Sequence, residues 1–255
     1  MHLAPLIHLR GLLRDVVDFC YPGRCAACEA DTDEGGSWLC GDCLGSLTRL
    51  ETAPACGTCG KPLADPEDPC PYCEGKGLRP YDRVLRLATY QDPLKHLIHQ
   101  MKYHGRWPLA ERLAGRLLEQ RRVQELIAQA DCLMPVPLHR LRQMSRGYNQ
   151  ADVIARFLSR RCRKPIARPV VRLRHTETQT HLHSRAQRLE NLKDAFGLVS
   201  ERRVTGKRIV VIDDVVTTGA TLQAVARTLR PAKPERLDAL VIAVADPKGR
   251  DFQVL

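Results

Sequence analysis

From residue 81 to the C-terminus the apolar positions fall into two rhythms that alternate along the chain. The pattern predicts strands over 83–90, 131–136, 168–173, 208–212 and 237–245, and helices over 93–103, 109–129, 150–161 and 220–230. In the first helix Leu94, Leu97, Ile98 and Met101 share one face, which is the i, i+3, i+4, i+7 spacing of an amphipathic helix. Strand–helix alternation of this kind argues for an α/β fold with a parallel, doubly wound sheet. The strand 208–212 is expected to be central and 237–245 to close the sheet. In such sheets a ligand sits beyond the carboxyl ends of the strands, so the residues after Val136 and Ile212 become the first candidates for chemistry.

Upstream the texture differs. Over 3–19 apolar residues recur at near-helical spacing, interrupted by Arg10, Arg14 and Asp15. This predicts an amphipathic helix over 1–19 that packs on the body of the protein, with a membrane-surface role as the alternative. It makes a poor signal peptide, because it lacks a long apolar core and a small-residue cleavage site. No apolar run approaches the roughly 20 residues of a membrane span. A cytoplasmic protein, peripheral to the inner membrane at most, is expected.

Between 20 and 78 neither rhythm holds, and cysteine takes over. Eight cysteines form four C-x-x-C pairs: Cys25/Cys28, Cys40/Cys43, Cys56/Cys59 and Cys70/Cys73. Two such turns complete a tetrahedral Cys₄ zinc site. Glycine and proline stand where tight knuckles want them, as in Cys56-Gly-Thr-Cys59-Gly and Cys70-Pro-Tyr-Cys73. Disulfides are the competing explanation, but they call for an oxidising compartment. The expectation is a double zinc ribbon over 20–78 with two structural Zn²⁺ ions. Consecutive pairing is preferred, and an interleaved pairing has the same spacing. With so few apolar residues, the module is expected to rely on metal rather than on a core. Cys20 is left over, and Cys132 and Cys162 read as buried packing residues.

The strand 208–212 runs into Asp213 and Asp214, then Val215-Val216, then Thr217, Thr218, Gly219, Ala220 and Thr221, before a helix begins. Paired carboxylates accept charge-assisted hydrogen bonds from vicinal hydroxyls. A hydroxyl-rich turn at a helix N-terminus favours a phosphate, and Gly219 allows close approach or positive φ. A sugar with two free hydroxyls beside a 5′-phosphate fits such a site. The run resembles the phosphoribosyl pyrophosphate (PRPP) signature of type I phosphoribosyltransferases. That resemblance implies that Asp213 and Asp214 hold the ribose hydroxyls and that Thr217, Thr218, Gly219, Ala220 and Thr221 wrap the 5′-phosphate. The ordinary alternative is a solvated βα turn.

The formal charge of +11 is concentrated: 18 Lys and Arg stand against 5 Asp and Glu over 139–208, so the remainder of the chain is slightly acidic. Such a field attracts a polyanion, whether PRPP or a nucleic-acid backbone. Within it, the segment after Val136 carries Arg140, Arg142, Arg146 and Gly147 and reads as a loop able to offer guanidinium forks to a pyrophosphate. A second polar segment, 174–191, holds His175, His181 and His183 as candidate acid–base groups; a long polar loop in a compact domain is usually functional or mobile. The Arg-rich helix around 156–164 reads as a solvated face. At 5% of the chain, aromatic residues are scarce for base stacking.

Nearly the full length then resembles one family. The ribbon cysteines, Lys102-Tyr103, Pro135-Val-Pro137, Arg146-Gly-Tyr148-Asn149-Gln150, Thr178-Gln179, Leu182, Arg188, Asn191, Phe196 and the PRPP motif together are similar to ComF-like proteins. These are competence-associated, with a double zinc ribbon and a phosphoribosyltransferase domain, here expected over 79–255. His183 stands as an extra residue in the segment. The resemblance implies PRPP with Mg²⁺ as ligand, a role with single-stranded DNA in natural transformation, and a competence helicase as partner. A phosphoribosyltransferase that releases pyrophosphate onto a small-molecule or nucleobase acceptor is the alternative. A regulator in which PRPP changes a protein partner is a third reading. Neither the acceptor nor the oligomeric state is legible in the chain.

Overall fold

A computed structural model describes residues 23–32, 37–65, 67–74, 77–174, 192 and 194–245. The expected helix over 1–19, Cys20 and the histidines His175, His181 and His183 lie outside the described residues.

Four strands form one parallel sheet in the order β1-β6-β5-β2: β1 (Arg83–Thr89), β6 (Arg236–Val244), β5 (Arg208–Val216) and β2 (Cys132–Pro135). β6 therefore lies inside the sheet beside β5 rather than closing it, and the edges belong to β1 and β2. The two long, inner strands are apolar at nearly every position because both of their faces are covered. Side chains alternate between two cores. Leu133, Val210, Ile212, Leu240 and Ile242 face one, while Cys132, Met134, Ile209, Val211, Ala239 and Val241 face the other. The first core is covered by helices α2 (Leu94–Tyr103), α3 (Pro108–Glu119), α4 (Arg121–Gln129) and α6 (Gln150–Cys162), and the second by α7 (Ala220–Leu229). This is the doubly wound α/β arrangement expected from the pattern.

Three further elements differ from the expectation. The helix over 109–129 is two helices, broken where Gln120 leaves helical geometry at φ −76° and ψ 121°. The break re-aims the apolar stripe, so Val123, Leu126 and Ile127 stay buried. The strand around 168–173 is short (β3, Val170–Arg172) and pairs antiparallel with β4 (Phe196–Leu198), outside the parallel sheet. The segment after Val136 contains a two-turn helix, α5 (Arg140–Arg146), capped by His139 and ended by Gly147 at φ 78°. Its apolar positions, Leu141 and Met144, are exposed, so no buried stripe announced a helix.

The cysteine-rich segment also differs. From the second knuckle, with Cys40 as N-cap and Cys43 in its first turn, helix α1 (Gly41–Thr52) runs toward the third. Its Leu47, with Leu39 and Cys25, is buried in the same core as Leu87 of β1 and Leu113 of α3. Arg116 of α3 clamps Glu51 of α1 with Nε–Oε1 at 3.0 Å. The first ribbon thus shares the main core, although its own sequence is poor in apolar residues: buried Leu47 and partly buried Leu50 suffice where the partner surface is already apolar.

Candidate functional site

The eight ribbon cysteines gather as Cys25, Cys28, Cys40 and Cys43, and as Cys56, Cys59, Cys70 and Cys73, with the ligand atoms of each set within 4.8 Å of one another. Pairing is consecutive. Sulfur–sulfur distances of 3.7 Å (Cys28–Cys40), 3.8 Å (Cys56–Cys73) and 3.6 Å (Cys59–Cys70) match the edge of a tetrahedron with Zn–S bonds of about 2.3 Å. Antiparallel bridges, Arg24 with Asp31 and Ala55 with Pro62, fold the knuckles. Amide groups converge on the sulfurs. Burial works against the Cys25 thiolate, but backbone hydrogen bonds from Cys40, Cys28 and Ala27 outweigh it and bring the thiol to about 6. The same opposition, with amides of Cys59 and Thr58, brings Cys56 to about 7. Four sulfurs close each set, so it fits a structural zinc ion with no coordination position left for a substrate. Of the other cysteines, Cys132 is buried and Cys162 is half-buried against the first core.

The second centre lies at the carboxyl ends of β5 and β2. β5 runs past Ile212 to Val216, so Asp213 and Asp214 stand within the last turns of the strand rather than after it. Consecutive strand residues point to opposite faces. Asp214 reaches Lys102 of α2, Oδ1 to Nζ at 3.2 Å, on the side of the first core. Asp213 lies in the field of Arg172 and Tyr81 on the other side, and its Oδ1 accepts from the Asp214 amide at 2.9 Å. Burial and the adjacent Asp214 charge push the Asp213 carboxyl up to about 7, against the pull of the Asp214 amide, Lys102 and Arg172.

Beyond the carboxylates the chain turns through Thr217, Thr218 and Gly219 into α7. Gly219 is the N-cap at φ 78°, and the Thr218 hydroxyl accepts from the Ala220 amide at 3.4 Å. A Cβ on Gly219 would lie 2.5 Å from Leu78 Cδ1 and force Leu78 to move, and the positive φ strains any other residue there, so glycine is favoured. Among the described residues this is a short turn with its amides at a helix N-terminus, the geometry that suits phosphate.

Cations surround the pair. Arg146 of α5 stands 5.1 Å over the Tyr103 ring. Burial lowers the Arg142 pKa, and so does the neighbouring Arg146 charge. Burial and the charge of Arg142 bring Arg172 down to about 10, although Asp213 pulls it up. The Arg142, Arg146 and Arg172 guanidiniums are therefore held close enough to repel one another, and a polyanion entering among them relieves that repulsion. Asn149 fixes the approach: its Nδ2 donates to Val136 O at 2.9 Å and its Oδ1 caps α6 through the Ala151 amide at 3.1 Å. The Tyr148 hydroxyl donates to Met101 O, tying the same loop to α2.

The structure thus gathers Asp213, Asp214, Arg142 and Arg146 at one rim, and leaves Arg140 exposed. The Arg-rich helix α6 is a solvated face as read: Arg156 pairs with Asp152 at 2.7 Å, and Arg160 and Arg161 are exposed. Residue-level reading missed Arg172 and the pairing role of Lys102. For Arg172 a signal existed, a charge at the end of the apolar Val170-Val171. For Lys102 there was none beyond the family likeness, since a lysine on the last turn of a helix is ordinary.

A sheet of this topology with a carboxylate pair, a phosphate-type turn and a cationic rim defines a phosphoribosyltransferase-type domain, here joined to two Cys₄ centres. Residues 144–253 match the phosphoribosyl transferase domain family, and residues 16–74 the double zinc ribbon domain family. The chain is 33% identical to competence protein F of Haemophilus influenzae, across 87% of this chain and 97% of that protein. It is 36% identical to the DNA utilization protein YhgH of Escherichia coli K12, across 82% and 91%. It is 27% identical to competence protein ComFC of Bacillus subtilis, across 80% and 88%. Among solved structures, a purine phosphoribosyltransferase from Pyrococcus horikoshii is 14% identical, covering 52% of this chain and 70% of that one with a TM-score of 0.33. The chain belongs to the ComF family of competence and DNA-utilization proteins.

Proposed function

We propose that the chain binds PRPP at the β5–α7 rim and acts through that site on single-stranded DNA taken up or processed in the cytoplasm. The observation that carries the PRPP reading is the joint placement of Asp213 and Asp214 between the Gly219 turn and the Arg142–Arg146–Arg172 cluster. Two carboxylates for a diol, a helix N-terminus for a monophosphate and guanidiniums for a pyrophosphate are the three recognition elements that PRPP requires. In this reading Asp213 and Asp214 orient the ribose, Thr217, Thr218, Gly219, Ala220 and Thr221 hold the 5′-phosphate, and Arg142 and Arg146 face the pyrophosphate. Mg²⁺, carried in with PRPP, supplies charge neutralisation at the pyrophosphate oxygens. The DNA role is supported by the names of the relatives and by the basic segment over 139–208. Calorimetric titration with PRPP and Mg²⁺, with and without a single-stranded oligonucleotide, tests both halves. No heat with PRPP would refute the site assignment, and no effect of the oligonucleotide would refute the DNA role.

One observation favours a second reading, transfer of the phosphoribosyl group to an acceptor. The carboxylate pair stands inside the segment, residues 144–253, that matches the phosphoribosyl transferase domain family. The C1–O bond to pyrophosphate would break as the acceptor bonds to C1. Release of radiolabelled pyrophosphate only when an acceptor is present would establish it.

A further inference from the structure

The second cysteine cluster is wired to the phosphate turn by a short strap. Gly77 packs on the knuckle: a Cβ there would lie 2.6 Å from Thr58 Cγ2, so the strap leaves the knuckle in close contact with it. The next residue, Leu78, fills the space where a Cβ of Gly219 would stand, with Cδ1 and Cδ2 at 2.5 and 2.9 Å from that position. Leu78 packs on the core that holds Ala220 and Leu222 of α7. Its carbonyl accepts from the Tyr81 amide at 2.9 Å, and the buried Tyr81 hydroxyl donates to Leu222 O at 2.8 Å. The strap thus touches the turn at Gly219 and holds the first turn of α7 at Leu222. On its other side the knuckle is fixed to the sheet. The Thr58 amide donates to Cys56 Sγ at 3.4 Å, and the Thr58 carbonyl accepts from the Val84 amide of β1 at 3.0 Å. Gly60, at φ 72°, lets the knuckle lie against Val84 O, 2.8 Å from where its Cβ would be.

The first cluster has no such route among the described residues. Its Cys25, Leu39 and α1 join the opposite core, against α3 and Leu87.

We infer that Leu78 is a positioning residue for the phosphate turn, and that metal in the Cys56, Cys59, Cys70 and Cys73 set, through Gly77 and Leu78, fixes the conformation of Gly219 that PRPP needs. The link to PRPP rests on the function proposed above; the link from metal to turn does not. Without the metal the Cys73 knuckle is no longer held, Leu78 is free to leave the Gly219 surface, and the amides of the turn lose their fixed direction.

Hydrogen exchange on the full zinc-loaded chain reads the link directly, alongside PRPP calorimetry. Leu78→Ala should keep both zincs and raise exchange of the peptide over 217–222 by about tenfold, with exchange over 209–212 unchanged. Its PRPP affinity should fall by about tenfold, the scale of a modest misplacement of a binding group. Leu78→Met should restore both, which a loss of general stability would not. If Leu78→Ala does not fold, Leu78→Val carries the same test with a smaller truncation. Cys73→Ser should lose one zinc and deprotect 217–222, whereas Cys40→Ser should lose one zinc and leave that peptide protected. Unchanged exchange in Leu78→Ala, or equal deprotection by both cysteine variants, would overturn the inference. A wild-type chain that binds no PRPP would sink the proposed ligand while the exchange result still decides the link.

Discussion

Lys102 Nζ lies 3.2 Å from Asp214 Oδ1, joining the last turn of α2 to the end of β5, with side chains only 20% and 13% exposed. Burial works against the Lys102 ammonium, but Asp214 and Tyr90 outweigh it and hold its pKa above the ordinary value. The pair fixes one carboxylate of the site in place before any ligand arrives.

Removing one partner leaves the other charge poorly compensated. Lys102→Met should destabilise the chain by about 2–3 kcal/mol, less than a fully buried pair because water still reaches the site. Adding Asp214→Asn should recover part of that loss. Urea denaturation of the single and double variants checks it, and an additive loss would show that the two groups do not interact.

The raised Asp213 pKa has a pH signature. The folded state holds this proton more tightly than the unfolded state, so the contribution to stability is fully present below the ordinary value of 3.8 and is lost as pH rises through about 7. Asp213→Asn should therefore raise the melting temperature at about pH 8, and the gain should shrink as pH falls toward about 4. PRPP affinity should rise through the same window, because the ribose hydroxyls need an ionised acceptor. Calorimetry across pH checks this, and a flat profile in wild type would contradict it.

Much of the architecture was legible because it follows from periodicity. The unbroken apolar run Ile209–Ile212, which marks a strand covered on both faces, is visible in the chain, and so is the stripe of α2. Elements set by tertiary context were not. The break at Gln120 has no proline or glycine to announce it, and α5 has no buried face. Strand order was misjudged for β6, since an apolar strand reads alike at the edge and in the middle of a covered sheet. In the site, Asp213, Asp214 and Gly219 could be read because their chemistry is local to one turn. Lys102 and Arg172 could not, because they reach the carboxylates from elements far away in sequence. The cysteine pairing, left open by spacing alone, became consecutive once the knuckles were placed.

The two Cys₄ sets should each hold metal, so elemental analysis of the purified chain should find two zinc ions. Chelation should lower the melting temperature, since metal binding contributes to folding directly. Absence of zinc, or disulfides after cytosolic expression, would contradict the assignment.

The α5 arginines separate the DNA role from the PRPP role. Replacing Arg140, Arg142 and Arg146 with Gln should flatten the salt dependence of single-stranded DNA binding, because fewer counterions are released, and should weaken PRPP as well. An unchanged salt slope with lost PRPP binding would place DNA elsewhere on the chain.

Titration of Asp213→Asn/Asp214→Asn with PRPP and Mg²⁺ tests most directly whether the β5–α7 rim is a PRPP site. Each lost charge-assisted hydrogen bond should cost about 1.5–3 kcal/mol, so binding should weaken by at least about a hundredfold while zinc content and fold persist. A double variant that binds PRPP as tightly as wild type would show that the motif is only a structural turn.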